Sequence, residues 1–277
     1  MVTENQRAKA QRFLELHTGG RLLVLPNAWD AGSARIFEQA GFHALGTTSA
    51  GVALSLGYPD GERVSRAEML EAVRRIASAV AIPVTADLEA GYGPTVNDVV
   101  ETAKGAIAAG AVGMNFEDST SDDRLVDVAV NVERIRAVKK VAEAEGIAFV
   151  LNARTDVFLL QIGGSAGRFD ETVRRANAYR AAGADCLFVP GVTDAETIGR
   201  LVRAIKGPMN VLAGRGTPPT GELERLGVAR VSIGGGPMRA ALTLTLRIAQ
   251  ELAERGTYTS FTENALPLRD FNRLFER

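Results

Sequence analysis

The chain has 277 residues, 46% of them apolar and 23% charged, with 32 basic against 33 acidic side chains. That length suits one large domain or two small ones, and a net charge of −1 offers no general attraction to nucleic acid or to an anionic membrane surface. The apolar run around 79–84 is far too short to span a bilayer, and a single cysteine, Cys186, excludes an internal disulfide and any CxxC metal site.

The first stretch, MVTENQRAKAQRFLELH, carries charge throughout and reads as an amphipathic helix, not a signal peptide, so the cytoplasm is the expected compartment. Beyond it, short apolar runs alternate with helical patterns. Strands are predicted over 21–27, 43–49, 83–89, 113–119, 148–154, 186–191, 209–214 and 230–235. Helical stretches such as SRAEMLEAVRRIASAV and DETVRRANAYRAAGA separate them, and the Ala-Gly pairs at 40–41, 109–110 and 182–183 read as helix C-caps. Near-continuous apolar strands, each followed by a helix, predict a parallel sheet covered on both faces. Eight such units in about 250 residues match a (β/α)8 barrel. A doubly wound open sheet is the alternative. The barrel with its N-terminal helix is placed at 1–256 and a helical tail at 257–277. The tail's Phe261, Phe271, Leu274 and Phe275 need a surface to cover, which points to a partner subunit.

The polar residues of this pattern gather at the carboxyl ends of the predicted strands, where barrel enzymes build their sites. The second strand ends in Thr47-Thr48-Ser49, the third in Asp87 and Glu89, the fourth in Glu117-Asp118, the fifth in Arg154 and Asp156. On a strand, Asp87 and Glu89 face the same way, and two like charges side by side call for a compensating cation or hydrogen-bond donors. Several carboxylates with one arginine suggest a divalent cation and an anionic substrate. Oxygen-only ligation favours Mg²⁺ or Mn²⁺ over zinc. The two histidines, His17 and His43, fall away from these ends. Bland alternatives stand beside each reading. Asp87 and Glu89 could cap the next turn or pair with Arg154, and Glu117-Asp118 could simply open a loop. Gly234-Gly235-Gly236 could be a tight turn or an anion site at a helix N-terminus, and Cys186 reads as a buried apolar thiol.

With those residues in place, the chain resembles the isocitrate lyase/phosphoenolpyruvate mutase superfamily over roughly residues 20–255. The landmarks are AGSARIFEQAGFHALGTTSAGVALSLGYPD, TADLEAGYG, NFEDS and LNARTD, in order. The resemblance implies a modified (β/α)8 barrel whose last helix is exchanged between subunits, usually in tetramers, so a homo-oligomer is expected. It also implies Mg²⁺ (or Mn²⁺) held by Asp87, Glu89 and Glu117, with Asp60 as a further outer carboxylate. Glu89 stands where many members carry a second aspartate. Arg154, Thr48, Ser49 and Ala50 match positions that grip the substrate carboxylate, and Tyr92 fills an aromatic slot in a glycine-flanked turn. Arg154, Glu117 and Asp60 are the implied catalytic positions.

Two departures limit what carries over. The isocitrate and methylisocitrate lyases have a cysteine-bearing loop after the fourth strand, where this chain has EDSTSDDRLVD. The mutases and phosphonopyruvate hydrolases have a lysine where Ser119 stands and an Asn-Ser further on, and Pro190 replaces a histidine or glutamate of several members. The shared half of the site implies a Mg²⁺-dependent lyase that cleaves a C–C bond of, or decarboxylates, a small oxaloacetate-like 2-oxo or 2-hydroxy dicarboxylate through a metal-stabilised enolate. Phosphorus–carbon chemistry on a phosphonopyruvate-like acid is the second expectation, and a non-catalytic metal-carboxylate-binding barrel the third. Asp118, Asp122, Asp123 and Tyr58 are the nearby candidates for the proton donor.

Overall fold

The structure, a computed structural model, describes residues 2–120, 122–263 and 265–276. Nine short parallel strands form one sheet in the order β1-β9-β8-β7-β6-β5-β4-β3-β2. They are β1 (Leu23–Leu25), β2 (Asn27–Ala28), β3 (Leu45–Thr47), β4 (Val84–Asp87), β5 (Gly113–Phe116), β6 (Val150–Arg154), β7 (Cys186–Val189), β8 (Met209–Leu212) and β9 (Arg230–Ser232). β1 pairs with β9 and β2 with β3, so the single run 21–28 touches both ends of the order and closes a barrel. That run divides at Pro26, which has no N–H for the ladder and whose carbonyl accepts from the Gly46 N–H. The eight predicted strands are therefore the eight staves observed, and the doubly wound alternative is excluded. The observed strands are shorter than predicted, because their polar carboxyl ends turn into loops.

Helices fill the connections as predicted. The principal ones are α1 (Glu4–Thr18), α2 (Ala31–Gln39), α3 (Ser49–Ser55), α4 (Arg66–Ala79), α5 (Val96–Ala108) and α6 (Val128–Ala144). Then follow α7 (Ser165–Ala181), α8 (Ala195–Ala204), α9 (Thr220–Arg225), α10 (Gly236–Arg255), α11 (Thr259–Thr262) and α12 (Leu268–Phe275). Ser65 with Glu68, and Thr95 with Asp98, make reciprocal capping boxes that start α4 and α5. α1 is tied to the barrel by the Gln6 side chain, which donates to the Ile107 and Ala111 carbonyls, and by the buried Phe13.

The apolar core lies between strands and helices, with Ile76, Val99, Ile135, Leu187 and Leu201 fully buried. Polar groups are buried on the strands themselves: Thr85, Asn115, Asn152, Asn210, Arg230 and Ser232. Along helix α10, Leu242, Leu244, Leu246 and Leu252 are exposed. α12 comes back to α2 of its own chain, where Arg35 donates to the Leu274 and Glu276 carbonyls. Phe261, Phe271 and Phe275 stay substantially exposed. Among the described residues no helix is long and apolar enough to cross a membrane.

Candidate active site

A cleft of about 330 Å³ opens at the carboxyl ends of the strands. Ser49, Asp60, Glu62, Glu89, Glu117 and Asp123 line it with Arg154, Asp156 and the apolar Leu159 and Leu160. Six carboxyl groups against one guanidinium make it strongly acidic. Asp87 lies beneath, at the end of β4 and buried. Its Oδ2 accepts from the Ser49 N–H (2.9 Å), its Oδ1 from Asn115 Nδ2 (3.1 Å), and its own N–H donates to Thr47 Oγ1 (2.8 Å).

Glu89 reaches the cleft differently from the sequence reading. β4 ends at Asp87, so strand alternation does not carry on to Glu89, which sits in the left-handed region at φ 49°. Tyr92 (φ 59°) and Glu62 (φ 56°) share that uncommon conformation. The three interlock: the Glu62 N–H donates to Glu89 Oε2 (2.7 Å), the Tyr92 N–H to Glu62 Oε1 (2.8 Å), and the Tyr92 hydroxyl to Glu89 Oε1 (3.2 Å). Gly91 (φ 96°) makes this turn possible, since a Cβ there would meet Val99 at 2.8 Å. Burial, with the charges of Asp60 and Asp87 behind it, raises the Glu89 carboxyl to about 7. Burial and Asp87 likewise raise Asp60, against a hydrogen bond from the Ser49 hydroxyl. Burial and Glu89 push the Tyr92 phenol up.

Arg154, at the end of β6, donates through Nη1 to Glu117 Oε1 and through Nε to Asp156 Oδ1 (2.6 Å). Its Nη2 has no hydrogen-bond partner among the described residues. Burial opposes the Arg154 charge, but Glu117 and Asp156 outweigh it and raise its pKa. Burial pushes Glu117 up, with Arg154 pulling the other way and Asp156 adding repulsion. The bland reading in which Asp87 and Glu89 pair with Arg154 is thus not what is seen; Arg154 takes Glu117 and Asp156 instead.

Other predicted positions fall out unevenly. Thr48 caps α3, its hydroxyl accepting from the Gly51 N–H, and neither it nor Ala50 lines the cleft. The Ser49 N–H is occupied by Asp87. A Cβ at Gly235 would lie 3.6 Å from Thr48 and from Ala50, so the start of α10 lies close to this 48–50 segment. Asp118 points away from Glu117 into the protein, where it accepts from Tyr179 (2.7 Å), Arg175 (3.1 Å) and the Asp156 N–H (2.9 Å). Fully buried, it does not line the cleft. Asp122 is exposed and paired with Arg124, Tyr58 lies outside the cleft, and only Asp123 of that group lines it. Ser119 donates to Asp156, and the loop after β5 closes on itself through the Thr120 N–H and the Arg124 carbonyl. Sequence reasoning missed Glu62, Asn115 and the Leu159-Leu160 wall. None has a local signature, because each earns its place through contacts distant in sequence.

Among the described residues, no three carboxylate, imidazole or thiolate side chains are gathered tightly enough to hold a metal ion alone. The donor set nevertheless fits a hard cation that keeps several waters and takes one or two carboxylates. All its groups are oxygens, and burial, with the charges of Asp60 and Asp87 behind it, disfavours an ionised Glu89 while no cation is bound.

A parallel barrel with an acidic, single-arginine cleft at the carboxyl ends of its strands has the layout of a barrel enzyme. The phosphoenolpyruvate phosphomutase family matches residues 13–253. A crystal structure of a Burkholderia cenocepacia protein described as a lyase or mutase superposes with a TM-score of 0.92 at 43% identity, covering 99% of this chain and 98% of that one. An oxaloacetate decarboxylase of Rhodopseudomonas palustris is 33% identical, over 81% of this chain and 78% of its own. Oxaloacetate acetylhydrolase bound to its product oxalate superposes with a TM-score of 0.85 at 25% identity, covering 96% of this chain and 93% of that one. The chain belongs to the phosphoenolpyruvate mutase family, within the isocitrate lyase/phosphoenolpyruvate mutase superfamily, and is an enzyme of its carbon–carbon lyase type.

Proposed function

We propose that the protein is a Mg²⁺- or Mn²⁺-dependent lyase that cleaves a C–C bond of, or decarboxylates, a small oxaloacetate-like 2-oxo or 2-hydroxy dicarboxylate. The observation that carries this reading is the cleft itself, in which, among the described residues, Arg154 is the one guanidinium beside six carboxyl groups. Asp87, Glu89 and Glu117 would hold the cation, directly or through water, with Asp60 behind them. A cation there supplies electrostatic stabilisation of the negative charge that develops as a bond at C3 breaks. Arg154, anchored on two sides by Glu117 and Asp156, presents Nη2 to the substrate carboxylate and fixes its orientation. Ser49 offers its hydroxyl beside Asp60, and Leu159 and Leu160 give one wall an apolar surface. The oxaloacetate enzymes among the relatives support a substrate of this size.

Phosphorus–carbon chemistry has less support. The position that carries a lysine in the mutases holds Ser119, whose hydroxyl is spent on Asp156, and among the described residues no lysine or second arginine lines the cleft to meet a phosphonate. The reading further expects a cytoplasmic homo-oligomer, dimer or tetramer, in which the exposed leucines of α10 and the 257–277 tail meet a neighbour. The test is a screen of oxaloacetate and substituted malates with Mg²⁺, following pyruvate, oxalate or CO₂ release. Turnover of at least one that EDTA abolishes is expected; turnover confined to phosphonopyruvate would overturn the assignment.

A further inference from the structure

Directly below the cleft lies a buried polar chain that the reaction chemistry does not use. Arg230, on β9, is completely buried; among the described residues it forms no salt bridge, and its Nε and Nη1 find no hydrogen-bond partner. Its Nη2 donates to Asn115 Oδ1 (3.3 Å), and Asn152 Nδ2 donates to the same oxygen (2.8 Å). Asn115 then donates through Nδ2 to Asp87 Oδ1. The strand register puts these groups side by side, Asp87 opposite Asn115 and Asn115 opposite Asn152. A buried guanidinium without a counter-ion is expensive, so its presence calls for a reason.

The donor and acceptor inventory supplies one. A guanidinium only donates and an ionised carboxylate only accepts. An asparagine between them has one orientation available, oxygen toward Arg230 and nitrogen toward Asp87. Each neighbour disfavours the flipped amide, and the two together bias it from both ends, whereas Asn152, itself an amide, could turn over with it. We propose that Asn115 is a positioning residue for Asp87, held in one orientation from below by Arg230, so that Asp87 presents a fixed carboxylate plane to the cation. Ser49 N–H holds the other Asp87 oxygen, so both are oriented before a ligand arrives. Orientation of a ligating group by its outer partners is typically worth about 10- to 100-fold in metal affinity.

This inference rests on the assignment of Asp87 to the cation, and the test separates the two. Mn²⁺ alone is titrated into the full-length protein, with free Mn²⁺ read by electron paramagnetic resonance, for wild type, Asp87→Ala, Asn115→Ala, Arg230→Met and the double variant. Near-ultraviolet circular dichroism checks each fold. Asn115→Ala is expected to bind Mn²⁺ about 10-fold or more weakly. Arg230→Met is expected to weaken binding several-fold, and its effect should vanish in the Asn115→Ala background. The sign is diagnostic, because removing a positive charge below a cation site should tighten binding by Coulomb's law alone. Tighter or unchanged binding by Arg230→Met would overturn the positioning role, and so would a full Arg230 effect without Asn115. Should Asn115→Ala fail to fold, the sign for Arg230→Met still decides, since that variant removes a buried charge and keeps an apolar volume. Wild type that binds no Mn²⁺, or Asp87→Ala that binds it normally, would instead refute the metal assignment itself.

Discussion

Glu89 gives the most quantitative consequence of crowding carboxylates into one cleft. Its carboxyl titrates at about 7 in the metal-free protein against 4.5 for the ordinary group, burial being the largest cause and the charges of Asp60 and Asp87 the next. The shift from 4.5 to about 7 corresponds to about 3 kcal/mol. A pKa raised on folding is stabilising to the protonated form, so the folded state loses that stability as pH rises from 4.5 through about 7. Glu89→Gln removes the titration while keeping the local bonds: its amide oxygen can accept from the Glu62 N–H and its nitrogen can donate to the Tyr92 oxygen. In EDTA, urea denaturation at pH 4.5 should find wild type and Glu89→Gln nearly equal. At pH 8 the variant should be more stable by about 3 kcal/mol. Saturating Mg²⁺ should narrow or reverse the gap, because wild type, with its full carboxylate set, gains more of the ligand's stabilisation. A stability difference that does not change with pH, or one that favours wild type at pH 8 without metal, would refute the electrostatic picture.

Isocitrate and methylisocitrate should be poor substrates, because the stretch EDSTSDDRLVD from Glu117 holds no cysteine; release of glyoxylate or pyruvate at ordinary enzyme rates, about 1–10³ per second, would contradict this. Tyr179→Phe removes a buried hydroxyl from Asp118 and should cost about 1–3 kcal/mol in urea denaturation, and an unchanged midpoint would show that Asp118 does not depend on it. Truncation after Gly256 should lower the assembled mass seen by light scattering, whereas a full-length monomer would remove the case for a subunit contact at the tail.

Much of this architecture is legible in the sequence because each βα unit repeats the same local signals. An apolar run followed by a capped amphipathic helix survives even where strand ends shift by several residues. Pro26 is a local signal too, and it explains the ninth strand. The candidate site was legible wherever a side chain on a strand end faces the mouth, as with Asp87, Glu117 and Arg154. It was misread where backbone geometry takes over. Glu89 comes into the cleft through a left-handed turn and not through strand alternation. Asp118 alternates away from Glu117 and is consumed by Tyr179 and Arg175. Glu62, Asn115 and Arg230 depend on partners 27 to 115 residues away, a separation that no short motif encodes.

The metal-carboxylate assignment is tested most directly by calorimetric titration of oxalate, with and without Mg²⁺, into wild type and Asp87→Ala. Wild type should bind oxalate only with Mg²⁺ present. Asp87→Ala should lose that binding with its fold intact, and relief of like-charge repulsion would offset the two hydrogen bonds it gives up. A strongly destabilised Asp87→Ala that still binds Mg²⁺ and oxalate like wild type would mean that the carboxylate is scaffolding and that the metal site lies elsewhere.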